Sequence, residues 1–150
     1  MSFWTRETKA DIGLRVFSNN LANLFKETAI GMQSLIISDQ EKRLLNQKIR
    51  HTSQWNVTFT TNTDPDYESL MIIWLEEVLY RLEVHEEFLV DAQCMIEFDE
   101  HEMMCQSQVS WVKSSEINRE LEIKAVTSHE FFIKQLKQGQ SFVGSEQDIP

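Results

Sequence analysis

Two stretches of the chain alternate apolar and polar residues with the period of a strand, and two others repeat apolar residues with the period of a helix. Phe88, Val90, Ala92, Cys94, Ile96 and Phe98 alternate with Leu89, Asp91, Gln93, Met95 and Glu97. Met103, Cys105, Ser107, Val109 and Trp111 repeat that pattern after the polar run Asp99-Glu100-His101-Glu102, so the spacing predicts a β-hairpin turning on the run. Trp55, Val57 and Phe59 alternate with Asn56 and Thr58, predicting a further strand with one wet face. Shorter strands are predicted where Ile12, Leu14 and Val16 share a face, over Leu121 to Thr127, at His129 to Ile133 and at Ser141 to Val143.

Leu21, Leu24, Phe25, Ala29 and Met32 form one apolar helical stripe, and Ser18-Asn19-Asn20 offers side chains to cap its start. The spacing predicts a helix from about Leu21 to Ser34. Asp64-Pro65-Asp66 starts a second helix, Tyr67 to Leu82, with Pro65 expected at its first turn. That helix is apolar around most of its circumference from Leu70 to Leu75, which implies burial on more than one side. Glu76, Glu77 and Arg81 supply its polar face, expected in solvent. The stretch around Asp39-Gln40-Glu41-Lys42-Arg43 has no apolar stripe and reads as a loop. Strand, helix, strand, helix and then several strands describe one α+β domain, with two helices on one face of a mixed, mostly antiparallel sheet.

Composition narrows the class. At 150 residues with 9 Phe and 4 Trp, the chain can bury a proper core as one domain spanning 1–150. No apolar run reaches the roughly 18 residues that a membrane helix requires, and no charged-then-apolar leader is present. A cytoplasmic protein is the expectation. The 24 acids against 14 bases give a net charge of −10, which disfavours direct contact with phosphate backbones and suits a cation or a basic protein surface. Cys94 and Cys105 fall on neighbouring predicted strands and read as buried free thiols.

Little in the chain reads as catalytic. Four scattered glycines spell neither a phosphate-binding loop nor a dinucleotide fingerprint, and no histidine pair sits at helical metal-ligand spacing. Glu83, His85, Glu86 and Glu87, and the run Asp99 to Glu102, read as solvated turns rather than metal sites. His51 lies in a polar stretch and is expected to be exposed. Lys124, opposite Ile123 and Ala125 in its strand, reads as a surface lysine, and His129 as a strand-end residue. Asp11 stands at a strand entrance, where a carboxylate must be solvated, paired or ligating.

Taken together, Ala10-Asp11-Ile12-Gly13-Leu14, the helix Leu21 to Met32, Trp74-Leu75-Glu76-Glu77-Val78-Leu79-Tyr80 and Ile123-Lys124-Ala125-Val126-Thr127-Ser128-His129 resemble the archease family in content and order. The resemblance implies a small single-domain fold with two helices on a sheet. It also implies a non-catalytic activator of the GTP-dependent tRNA-splicing RNA ligase that joins 2′,3′-cyclic or 3′-phosphate ends to 5′-hydroxyl ends. Such activators promote guanylylation and multiple turnover of the ligase. The family pattern places a divalent cation, calcium or magnesium, on an acid of the opening motif and an acid near the C-terminus, which match Asp11 and Asp148. The Ile149 main-chain carbonyl would join them, and Lys124 matches a lysine that serves the partner ligase. Two carboxylates and a carbonyl are hard oxygen donors of the kind those cations take.

The chain departs from the family pattern at Thr8, where a histidine is usual, and at Gly144-Ser145-Glu146-Gln147, where apolar residues are usual. Glycine weakens a strand interior. The tail therefore leaves a second class open, a chaperone-like protein-interaction module of the same fold without a working metal site.

Overall fold

The structure is a computed structural model, and it describes residues 16–18, 20–62, 64–121, 123, 131–135 and 141–145. In chain order the elements are β1 (Val16–Ser18), α1 (Leu21–Ser34), α2 (Asp39–Leu44), β2 (His51–Thr60), α3 (Tyr67–His85), β3 (Glu87–Asp99), β4 (Glu102–Lys113), β5 (Phe131–Gln135) and β6 (Ser141–Ser145). This is the expected α+β architecture. The described strands form two three-stranded sheets, ordered β2-β4-β3 and β1-β6-β5, and every pairing among them is antiparallel.

The β3–β4 hairpin follows from the alternation. Asp99 pairs with Glu102 across the two-residue turn Glu100–His101, and both turn residues have positive φ, 46° and 73°. That is the backbone sense that matches the right-handed twist of paired strands. The register then sets Ile96 opposite Cys105, Cys94 opposite Ser107 and Ala92 opposite Val109. Between Leu89 and Asp91 the register slips by a bulge, an irregularity the alternation alone does not show. Leu89, expected on the polar face, is buried in the same cluster as Ala92 because the extra residue in the bulge shifts the alternation by one, while Phe88 packs in a second cluster on the other face.

The main core lies between the α1–α3 pair and the inner face of β2-β4-β3. Leu24, Phe25 and Ala29 of α1 and Leu70, Trp74 and Val78 of α3 are fully buried there, against Trp55, Met103 and Cys105. The two helices are fastened by a hydrogen bond as well as by packing: Trp74 Nε1 donates to the Phe25 carbonyl at 3.1 Å. A second cluster of Ile36, Ile37, Leu82, Phe88, Val112 and Ile117 closes the far end.

The caps show how the sequence starts its helices. Asn20 Oδ1 accepts from Asn23 N at 2.8 Å and opens α1. Asp66, rather than Asp64, caps α3, its carboxylate accepting from Ser69 N at 3.0 Å and Ser69 Oγ at 2.7 Å. Pro65 therefore precedes the cap instead of occupying the first turn. The expected loop at 39–43 is the short helix α2, which Ser38 caps by accepting from Glu41 N at 3.0 Å. Glu41 is buried there, and its Oε1 accepts from Asn118 N at 3.3 Å. Phe131–Gln135 and Ser141–Ser145 bear out strands near their expected places, whereas most of the strand expected over Leu121 to Thr127 lies outside the described residues.

Candidate functional site

Asp11, Lys124, Asp148 and Ile149, the residues matched to a cation site and a partner contact, all lie outside the described residues, as do Thr8 and His129. The structure does describe β1 and β6, the strands nearest to Asp11 and Asp148 in sequence. β1 pairs antiparallel with β6, setting Val16 opposite Val143, Phe17 opposite Phe142 and Ser18 opposite Ser141. β6 in turn pairs with β5, with Phe132 opposite Gly144 and Phe131 opposite Ser145. The chain's first and last described strands are thus neighbours, and β6 runs through Gly144 and Ser145 despite the weak strand propensity of that stretch.

The acid-rich runs elsewhere are occupied with structure. Arg119 Nη1 meets Glu83 Oε1 at 2.8 Å, and Arg81 meets both Glu77, at 2.7 Å, and Glu87, at 3.9 Å. Glu77 and Arg81, expected in solvent, are half-buried, because the Arg81 guanidinium lies 5.4 Å from the Trp55 ring centre and so shields the core edge. Glu86 takes a left-handed conformation at the end of α3, with φ 58°. Among the described residues no group of three His, Cys, Asp or Glu could hold a metal ion. His51 is also placed differently from expectation: it begins β2 half-buried and stacks on Trp111, with ring centres 4.5 Å apart.

One cleft opens beside the N-terminal half of α1. Its volume is about 620 Å³, and Asn23 and Lys26 face Asp91, Gln93 and Cys94 across it. Lys26 Nζ spans to Asp91 Oδ1 at 3.5 Å. Cys94 lines this cleft half-buried, and behind it Cys105 is fully buried. Ser107 lies with them, its Oγ donating to Cys94 Sγ at 3.1 Å and standing 3.5 Å from Cys105 Sγ. The contact with Cys105 is the main influence holding the Cys94 thiol below its ordinary range. The Ser107 hydroxyl and the Lys26 ammonium act in the same sense, against burial. The Cys105 thiol is pushed far up by that same contact and by burial. The reading of both cysteines as buried thiols thus holds fully for Cys105 alone. A signal for their closeness was present in the sequence, since a turn centred on Glu100–His101 sets Cys94 opposite Ser107 by counting.

The model of the Archease protein family (MTH1598/TM1083) matches residues 3–143. A curated relative, "Protein archease" of Methanosarcina acetivorans, is 34% identical over 80 residues, covering 53% of this chain and 48% of that protein. The chain thus spans about half the length of that relative in the match. The solution structure of Methanobacterium thermoautotrophicum protein 1598 shares the fold, with a TM-score of 0.68 at 20% identity over 95% of each chain. No helix among the described residues is long and apolar enough to cross a membrane.

Proposed function

The chain belongs to the archease family, and on that premise we propose that it is a cytoplasmic accessory protein of a GTP-dependent tRNA-splicing RNA ligase. In this reading it promotes guanylylation and repeated turnover of the ligase and performs no chemistry of its own. The observation that carries the reading is the family match from residue 3 to residue 143, which takes in Asp11 and Lys124. Asp148 and Ile149 fall beyond that match, so their part rests on the resemblance of the closing residues to the family pattern.

The β1–β6 register supports it. In each of its pairs the two residue numbers sum to 159, as 11 and 148 do. A continuation of the same register would bring the two acids together at one end of the sheet. Two carboxylates and the Ile149 carbonyl there would be a hard, anionic donor set suited to calcium or magnesium and poorly suited to softer metals. When bound, the cation would supply a concentrated positive charge at an otherwise acidic end of the molecule. Asp11 and Asp148 would hold it, and Lys124 would contact the ligase directly. The net charge of −10 speeds encounter with a basic, RNA-handling surface and discourages binding of RNA itself.

The test is covalent guanylylation of a purified ligase incubated with GTP. This protein should raise the guanylylated fraction, and Asp11→Ala should lose that effect while keeping the wild-type unfolding midpoint. A wild-type protein that leaves guanylylation unchanged would overturn the proposal. Calcium titration calorimetry separates the remaining class: no heat of binding to wild type would favour a protein-interaction module without a working metal site.

A further inference from the structure

We propose that Cys94 is a peroxide-reactive thiol and that Cys105 is its resolving partner, the two closing a reversible disulfide between β3 and β4. The inference stands apart from the ligase reading, since it rests on the β2-β4-β3 sheet and on different chemistry.

The strand register makes the pair. Cys94 lies opposite Ser107 and Cys105 lies opposite Ile96, so the two thiols are diagonal neighbours on one face of the hairpin. The Ser107 hydroxyl touches both sulfurs, at 3.1 Å and 3.5 Å, and so bridges the two thiols. The two sulfurs differ in access. Cys94 meets the roughly 620 Å³ cleft, wide enough to admit a peroxide, whereas Cys105 is 0% exposed and does not line it. They differ in charge as well. The contacts around Cys94, with Lys26 nearby, favour its thiolate, the nucleophilic form, while Cys105 is held as the thiol.

The chemistry balances with hydrogen peroxide as the oxidant. The Cys94 thiolate attacks one peroxide oxygen and breaks the O–O bond, giving the sulfenic acid and hydroxide, which leaves as water with a proton from the medium. Cys105 then attacks the sulfenic sulfur. The S–S bond forms as the S–OH bond breaks, and the Cys105 proton leaves with the hydroxyl as a second water. Both sulfurs are oxidised and one peroxide is reduced to two waters. Diagonal neighbours have Cα atoms roughly 7–8 Å apart, at or beyond the upper limit for an unstrained disulfide, so closing the bond shifts the strands. Such a bond is readily reduced, which suits a reversible modification better than a permanent staple.

The experiment treats native protein with hydrogen peroxide and reads intact mass, free thiols and peptide maps. Wild type should lose about 2 Da and both free thiols, with a Cys94–Cys105 peptide link that dithiothreitol reverses. Cys105→Ser should stop at a sulfenic acid on Cys94 that dimedone traps, and Cys94→Ser should leave Cys105 unmodified. Two free thiols persisting in folded wild type after peroxide would overturn the proposal, as would disulfides formed only between molecules. Because wild type alone gives these readouts, a variant that fails to fold leaves the test intact.

Discussion

Trp74 offers the sharpest test of how the helices are held on the sheet. Its side chain is 0% exposed, its ring centre lies 6.5 Å from that of Trp55, and its Nε1–H donates to the Phe25 carbonyl of α1 at 3.1 Å. Trp74→Phe keeps an aromatic ring but removes that donor and part of the volume. The lost hydrogen bond costs about 1 kcal/mol net, and the vacated space beside rigid neighbours costs about 1–2 kcal/mol more. The sum, about 2–3 kcal/mol, corresponds to a fall in Tm of roughly 5–10 °C for a chain of this size. Urea unfolding followed by circular dichroism should show a lower midpoint with an unchanged slope. Trp111→Phe is the internal comparison. Trp111 is only half-buried, and its Nε1 donates to the Ser53 hydroxyl at 3.0 Å, so its loss should cost about 1 kcal/mol. If Trp74→Phe costs no more than Trp111→Phe, the indole bridge between α3 and α1 does not contribute as argued.

Asp66→Ala removes both acceptors at the start of α3 and should cost about 1–2 kcal/mol by denaturant midpoint, whereas Asp64→Ala should be nearly silent. Glu86 holds a left-handed conformation that glycine adopts without a side-chain clash, so Glu86→Gly should raise stability by about 0.5–1 kcal/mol in the same assay. Replacing Glu100 and His101 by Asn and Gly should likewise stabilise the positive-φ hairpin turn, by roughly 1 kcal/mol, and raise Tm. Iodoacetamide should label Cys94 in folded protein at pH values below those at which an ordinary thiol reacts, because its thiolate persists to lower pH. Labelling of Cys105 should wait for denaturant, as peptide mapping will show.

Much of this arrangement was legible in the residue pattern because its determinants are local. Alternation through Ala92 to Phe98 and Met103 to Val109 fixed the hairpin, and the stripe Leu24, Phe25, Ala29 and Met32 fixed the buried side of α1. What escaped depends on distant partners. The six residues of α2 carry no apolar stripe, and Glu41 is buried through Asn118, a residue far along the chain. The bulge at Leu89–Asp91 sets Leu89 and Ala92, three residues apart, in one apolar cluster, which a strict two-residue period does not report. Arg81 left its expected wet face because Trp55, on another element, offered a ring to cover. Division into two sheets is likewise non-local: β1 finds its partner in β6, more than a hundred residues on. The candidate cation ligands could be named from the resemblance but not brought together by it. The register of β1 with β6 relates Val16–Ser18 to Ser141–Val143, and Asp11 and Asp148 themselves lie outside the described residues.

Under the proposed function, this chain lets an RNA ligase turn over repeatedly. The most direct measurement of that turnover is the number of joined RNA products per ligase molecule, with 3′-phosphate and 5′-hydroxyl substrates, GTP and limiting ligase. Added wild-type protein should carry the ligase well past one product per active site, and Asp11→Ala should not. A product count that stays at the ligase-alone level with saturating wild-type protein would contradict it.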